Sequence, residues 1–423
     1  MSLPAELPRS SALSRYCSVR KQSEALCEPL HAEDMVVQSM PDVSPTKWHL
    51  AHTTWFFETF VLEAFASDFE PFEPAFRYLF NSYYEAVGER HPRARRGVVT
   101  RPTVDRVFAY RAATDERICR LIESASDDQW AEIATRLTLG LHHEQQHQEL
   151  MLMDIKHVLF QNPTFPAYVA AGVEDTRPAL RAGWFSLPGG VVEVGHAGFG
   201  FAFDNEGPRH QTFLYDFGVA TRPVTNGEYL AFVNDGGYDN HEHWLSDGWF
   251  EVQSRGWRAP EYWVQRDGAW FEYTLGGLTP LDPEASVVHV SWYEADAFAR
   301  WTGHRLPHES EWERAAQGGG PRGPFLEAGA RGPGRSPAPS GGTASMLGGV
   351  WELTQSPYVP YPGYRAPKGA LGEYNGKFMA NQYVCRGGSF GTPQSHVRPT
   401  YRNFFYPHQR WAFQGFRLAR DET

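Results

Sequence analysis

Apolar residues recur at three- and four-residue spacing along five stretches of the first third of the chain. These are 11–30, 31–38, 44–66, 103–124 and 126–159, and the period predicts helices. Asp42, Ser44 and Asp127 fall where N-caps or their neighbours are expected. Four long helices within residues 1–165 fit an antiparallel bundle with one longer excursion, 67–102. That excursion holds Pro71, Pro74, Pro92 and Pro102, a basic run, and the rings of Phe72, Phe76, Tyr78, Phe80, Tyr83 and Tyr84. A connection of this length is uncommon unless it is functional or disordered, and its rings argue for a packed loop.

The pattern changes over 162–188. From Gly189 onward glycine, tryptophan and short apolar runs dominate. The strings VVEVG, TFLYDFGVA, SVVHVSW and YVCRGGSF predict short strands, with helical pieces at 226–233 and 292–302. Residues 318–345 are rich in Gly, Pro, Arg and Ser and read as a surface loop. The expected organisation is a helical domain over 1–165, a linker over 166–182 and an α+β domain over 183–423. A length of 423 residues suits two such domains.

With 41% hydrophobic and 21% charged residues, each domain has enough apolar surface for a core. Thirty-nine basic against 50 acidic residues give a net charge of −11, which disfavours general nucleic-acid or anionic-membrane partners. No run approaches 18 apolar residues, and the first residues have no apolar core of a secretory signal. Cys17, Cys27, Cys119 and Cys385 are scattered and form no CxxC pair, so no disulfide framework is expected. These features predict a soluble cytoplasmic protein.

The chemistry concentrates in LHHEQQHQEL, residues 141–150. His143 and His147 are four apart, so on a helix they share one face at a spacing of about 6 Å, which suits two imidazoles on one metal ion. The bland alternative is a polar helix face with incidental histidines, but the apolar flanks Leu139, Leu141, Leu150 and Leu152 argue for a buried one. Residues 143–147 also spell HExxH, the string of zinc peptidases. A metzincin would continue with glycine at 150 and histidine at 153, where this chain has Leu150 and Met153. A gluzincin needs a downstream glutamate ligand on a helix, and Glu174 lies in a proline-containing linker. The third ligand is better sought in SPTKWHLAHTTWFFE, residues 44–58, where either His49 or His52 can serve. Three imidazoles leave open positions and suit Fe(II) or copper better than a closed structural zinc site.

These strings together resemble the ergothioneine-biosynthesis sulfoxide synthases, the hercynine oxygenases. WHLAHTTWFFE, FNSYYEAVGERHPR and HHEQQHQEL carry the likeness in the first half. In the second it is carried by VSWYEADAFARWTGHRLPHESEWERAA, GGVWELTQSPY, CRGGSF and RNFFYPHQRWAFQGFRLARD. The resemblance implies an α+β multidomain chain, with an N-terminal DinB-like four-helix bundle and a C-terminal domain similar to the formylglycine-generating enzyme, of C-type-lectin-like α+β fold. It places Fe(II) on His52, His143 and His147 and leaves His142 to packing or to support of the ligands. It implies oxidative attachment of a thiol sulfur to C2 of the imidazole of hercynine, with O2 as co-substrate and a sulfoxide as product. Three histidines, a substrate imidazole, a substrate thiolate and dioxygen make six ligands, so the reacting groups are held side by side.

The reaction needs a proton or hydrogen-atom donor, and Tyr83 and Tyr84 are the candidates. Other members of the family carry this tyrosine in the C-terminal domain, where Tyr358, Tyr361 and Tyr364 are the options. Of the basic stretch Arg90, Arg93, Arg95 and Arg96, the first two fall nearest the tyrosines and are the preferred carboxylate clamp, against the alternative of a solvated charge run. Gln146 is placed to reach the imidazole substrate, and Asn403 and Phe404 match the family's substrate loop. A trimethylammonium group is recognised by ring faces and polar oxygens. Phe405 and Gln409 stand where members using γ-glutamylcysteine carry charged residues, which favours free cysteine as donor. The formylglycine-generating oxidases use a cysteine pair, whereas the second domain holds only Cys385. Alternative readings are a selenoneine-type synthase, an ovothiol-type synthase acting on histidine, or a non-catalytic lectin-like binding protein.

Overall fold

A computed structural model describes residues 7–170, 180–317, 319, 322–338 and 346–422. Residues 171–179 of the expected linker, Glu174 among them, lie outside the described residues, as do 318, 320, 321 and 339–345 of the expected loop. Contacts divide the chain into two units. The first comprises residues 1–164 together with 198–201 and 366–374, and the second comprises 165–197, 202–365 and 375–423. Among the described residues no helix is long and apolar enough to cross a membrane.

Four helices frame the first unit: α1 (Arg9–Ala25), α2 (Thr46–Phe57), α3 (Val104–Ser124) and α4 (Asp127–Phe160). Pro45 precedes α2 with φ −59°, a conformation ready for a helix start, so the helix begins at Thr46 and Ser44 lies outside it. The N–H of Ser44 donates instead to Asp154 at 2.8 Å. Ser126 and Thr103 are the N-caps of α4 and α3, so Asp127 is the first helical residue and Asp42 caps nothing. The helix expected over 31–38 shrinks to a single 3-10 turn, Asp34–Val36. Its apolar residues are too few to cover a bundle face. After Phe57, α2 widens into a π-helical turn, Glu58–Leu62.

Tyr16, Phe57, Val61, Ile118, Ile133, Leu137 and Leu141 form a shared core of the four helices and the π-helical turn. Gly140 lets α4 approach α2, because a Cβ there would come within 2.5 Å of the Phe57 ring and 3.1 Å of the Phe56 ring. Beside this core, Glu144 of α4 is fully buried. It accepts from Arg20 at 2.8 Å, Ser23 at 2.6 Å and Arg111 at 2.9 Å. Burial alone would raise the Glu144 carboxyl, but the two guanidiniums outweigh it and hold it down at about 2. Arg20 also reaches Asp115 at 2.7 Å and Thr54 at 3.0 Å, so one ionic cluster ties all four helices.

In the second unit, β1 (Trp184–Leu187), β4 (Phe217–Ala220) and β12 (Ala419–Asp421) make an antiparallel sheet in the order β1-β4-β12. A hairpin joins β2 (Gly190–Val194) and β3 (His210–Leu214), and a meander joins β5 (Trp263–Arg266), β6 (Ala269–Thr274) and β7 (Gly277–Pro280). A four-stranded sheet runs β10-β9-β8-β11, from β8 (Trp351–Pro357), β9 (Tyr383–Arg386), β10 (Asn403–Phe405) and β11 (Gln414–Gly415). Among the described residues four helices accompany them: α5 (Asn226–Asn234), α6 (Ser246–Arg255), α7 (Trp292–Trp301) and α8 (Glu309–Ala316). Capping boxes at Thr225/Glu228 and Ser291/Glu294 start α5 and α7. The string SVVHVSW does not form a strand. His289 takes φ 65°, which breaks the extended run, and Ser291 is already the N-cap of α7. The string TFLYDFGVA splits into two strands at Tyr215–Asp216.

Gly140→Ala is expected to destabilise the protein, although helix propensity alone predicts a gain of roughly 1 kcal/mol. Overpacking against Phe57 costs about 1–3 kcal/mol. Denaturant titration decides the sign, and a stabilised variant contradicts the close approach of α2 and α4.

Candidate metal centre

His52 comes from α2, and His143 and His147 come from one face of α4. One ring nitrogen from each lies within 4.8 Å of the others. All three side chains are buried, His52 completely. Trp48, one turn before His52, stacks on its ring at 4.6 Å and 12°, and Trp55, one turn after, stacks at 5.5 Å and 16°. Phe56 packs on His143 at 4.6 Å. The ring walls remove water, and the histidines repel one another's positive form. Burial first, then the neighbouring imidazole His143, holds His52 well below its ordinary value. The same order of causes, with His143 and His52 as neighbours, lowers His147, and burial brings His143 down to about 3. Three neutral imidazoles are therefore present at neutral pH.

The hydrogen bonds identify the nitrogens left for a ligand. His52 Nδ1–H donates to the Phe80 carbonyl at 2.6 Å, which leaves its Nε2 bare, 3.2 Å from Nε2 of His143. His147 Nδ1 is occupied by His49 Nδ1 at 2.8 Å, leaving Nε2. His143 Nδ1 is buried with no hydrogen-bond partner. This donor set of three neutral imidazoles fits a borderline divalent ion such as Fe(II). Glu144, the glutamate of the HExxH string, is consumed by Arg20 and Arg111, so it has no role as the general base of a peptidase.

Tyr83 and Tyr84 stack at 4.6 Å, and Tyr84 is fully buried against Trp55 and Phe60. Asn81 clamps this loop, accepting from the Tyr84 N–H and donating to the Tyr84 and Gly88 carbonyls. Gln146 accepts from the hydroxyl of Tyr374, a residue absent from the sequence-based candidates. Tyr374 also lies 5.7 Å from the His143 ring and 6.3 Å from that of Tyr83. Its neighbour Glu373 accepts from the backbone N–H of Glu85 and Ala86 at 3.0 and 2.9 Å. No spacing in the sequence links 366–374 to the bundle.

His142 stacks on Phe201 at 3.9 Å and accepts from Arg15 at 3.0 Å. Arg90 pairs with Glu85, and Arg93 donates to the Asp42 carbonyl at 2.5 Å. Both are exposed in the structure, whereas Arg96 is buried over the Trp48 ring at 3.3 Å. Asn403 and Phe404 belong to the second unit, where Phe404 stacks on Tyr358 at 3.9 Å. The hydroxyls of Tyr358, Tyr361 and Tyr364 in that unit are bonded to Asn205, to Glu309 and Arg386, and to Asp204.

Residues 16–153 match the family model of the DinB superfamily, and 171–341 with 331–422 match that of the sulfatase-modifying factor enzyme 1-like domain. The chain is 31% identical to the hercynine oxygenase of Mycobacterium tuberculosis, covering 92% of this chain and 93% of that one. It is 32% identical to the hercynine oxygenase of Mycolicibacterium thermoresistibile, covering 90% and 88%. The formylglycine-generating enzyme of Streptomyces coelicolor is 36% identical over only 36% of this chain and 53% of its own.

Neutral imidazoles have few protons to lose. At pH 6 three histidines of ordinary value, about 6.5, would release roughly two protons on binding a metal ion. Metal-free protein titrated at pH 6 with Co(II), in two buffers of different ionisation enthalpy, is expected to release almost none. A release near two refutes the depressed values.

Proposed function

The chain belongs to the hercynine oxygenase family, and from that premise we propose that it is an iron- and O2-dependent sulfoxide synthase of ergothioneine biosynthesis, joining the sulfur of free cysteine to C2 of the hercynine imidazole. The observation that carries this reading is the buried triad His52, His143 and His147, in a chain similar over nine-tenths of its length to hercynine oxygenases. In this reading the three Nε2 atoms hold Fe(II), and the four free cysteines suit a reducing cytoplasm.

A thiol, an imidazole C–H and O2 give a sulfoxide and one water. Four electrons leave the organic substrates, and two protons must reach oxygen. The chemistry that Fe(II) supplies when bound is electron transfer to O2 and Lewis-acid binding of the thiolate. The rest falls to side chains. Tyr84 or Tyr83 gives the proton or hydrogen atom. Burial first, then the adjacent phenols, holds Tyr84 well above the usual tyrosine range, so it keeps its proton at neutral pH. Gln146, held by Tyr374, orients the acceptor imidazole. Arg90 and Arg93 receive the cysteine carboxylate, and their place on the tyrosine loop supports that role. Asn403 supplies an amide, and Phe404 a ring face, to the trimethylammonium end. Phe405 lies edge-on to Trp411 and Gln409 accepts from the Tyr406 N–H, so neither offers a charge to a glutamyl extension.

Anaerobic protein loaded with Fe(II), hercynine and cysteine, then exposed to O2, is expected to yield a product with the mass of the cysteinyl sulfoxide. Preference for γ-glutamylcysteine, for a selenosugar, or for histidine in place of hercynine would reassign the substrates. Tyr84→Phe or Tyr83→Phe is expected to keep iron bound and to slow sulfoxide formation by about 10²–10⁴-fold, the usual worth of a positioned proton donor. Diversion of cysteine to its sulfinic acid would accompany the loss. Normal rates in both single variants and the double variant overturn the tyrosine assignment.

A further inference from the structure

His49 lost the competition for a ligand position, yet it is buried within hydrogen-bond distance of a ligand candidate. Its Nδ1 meets Nδ1 of His147 at 2.8 Å, and its Nε2 meets Oδ2 of Asp154 at 2.9 Å. Asp154 stands two turns after His147 on the same face of α4 and is itself buried. The same Oδ2 accepts from the backbone N–H of Ser44, just before α2. With a single proton on the His49 ring, the hydrogens follow from this chain of contacts. A carboxylate accepts, so Nε2 of His49 carries the ring proton and its Nδ1 is the acceptor. Nδ1 of His147 then donates, and the lone pair of His147 is confined to Nε2.

We propose that Asp154 and His49 form a two-membered relay that locks His147 in its metal-binding tautomer and passes the carboxylate charge to it, making both of them positioning residues for the metal centre. Carboxylate–imidazole pairs behind metal ligands commonly serve this purpose, and here a second imidazole is inserted between the two. The proposal rests on the reading of the triad as a metal site.

Two readouts independent of turnover test it. In metal-free protein labelled with 15N on histidine, His147 is expected to show a protonated Nδ1 and a bare Nε2. Asp154→Asn and His49→Phe should shift it toward a mixture of tautomers. Competition with a chromogenic chelator should show Co(II) or Fe(II) bound about 10–100-fold more weakly in both variants, the usual cost of losing such a partner. In Asp154→Asn, which keeps an acceptor oxygen but removes the charge, the Fe(III)/Fe(II) potential should also rise. If His49→Phe does not fold, Asp154→Asn alone decides. Wild-type affinity and an unchanged tautomer in Asp154→Asn, with metal binding lost in His52→Ala, overturn the relay and leave the centre intact. Wild-type metal affinity in His52→Ala, His143→Ala and His147→Ala overturns the centre itself and the proposed function with it.

Discussion

A single carboxylate fixes the rotation of the central helix. Glu144 is adjacent to His143, so their side chains leave α4 about 100° apart. One side takes the carboxylate into a fully buried cage of Arg20, Arg111 and Ser23, and the other turns the imidazoles toward α2. A buried ion cluster of this kind is weak evidence for net stability, because desolvation offsets much of the attraction. Its value here is register. Removing either arginine would leave an uncompensated charge, and any rotation of α4 would do the same. The orientation of His143 and His147 is thereby set by an ion cluster outside the three imidazoles.

The aromatic content of the chain has a local use. Trp48, Trp55 and Phe56 come from the same helix as His52; the two indoles stack on its imidazole, and Phe56 lies tilted against that of His143. Ring faces exclude water without offering hydrogen bonds, so the charged form of each histidine is disfavoured. The lone pairs then stay available where solvated imidazoles would compete with protons. Part of the cost of burying polar groups is met locally, while Nδ1 of His143 stays without a hydrogen-bond partner. The Phe80 carbonyl takes one imidazole N–H, and His49 with Asp154 engages another.

Much of this was legible in the sequence. The 3.6-residue period exposed the bundle, and the i,i+4 pair His143/His147 named one wall of the site. Spacing could not separate His49 from His52. On α2 both turn toward α4, and they are distinguished by which meets a carboxylate and which meets Nε2 of His143. Asp154 was invisible for the same reason, since a buried aspartate on a helix announces no partner. Local conflicts hid other features. A left-handed backbone at His289 undid a run of β-branched residues that reads as a strand, and Pro45 moved the start of α2 past the polar residues that resemble caps.

The deepest gap is topological. Residues 366–374 lie far along the sequence within the stretch that builds the second unit, yet they pack with the bundle. Periodicity reports neighbours along a helix and says nothing about a short segment that crosses from one unit's sequence into the other's structure. That segment brings Tyr374 to Gln146, and brings Glu373 to the backbone of Glu85 and Ala86, immediately after the tyrosine pair. The bundle sequence alone contains all three imidazoles and both loop tyrosines, but it lacks the carboxylate that anchors their loop and the phenol that holds Gln146. Residues 366–374 therefore belong to the same folded unit as the three imidazoles and the loop tyrosines.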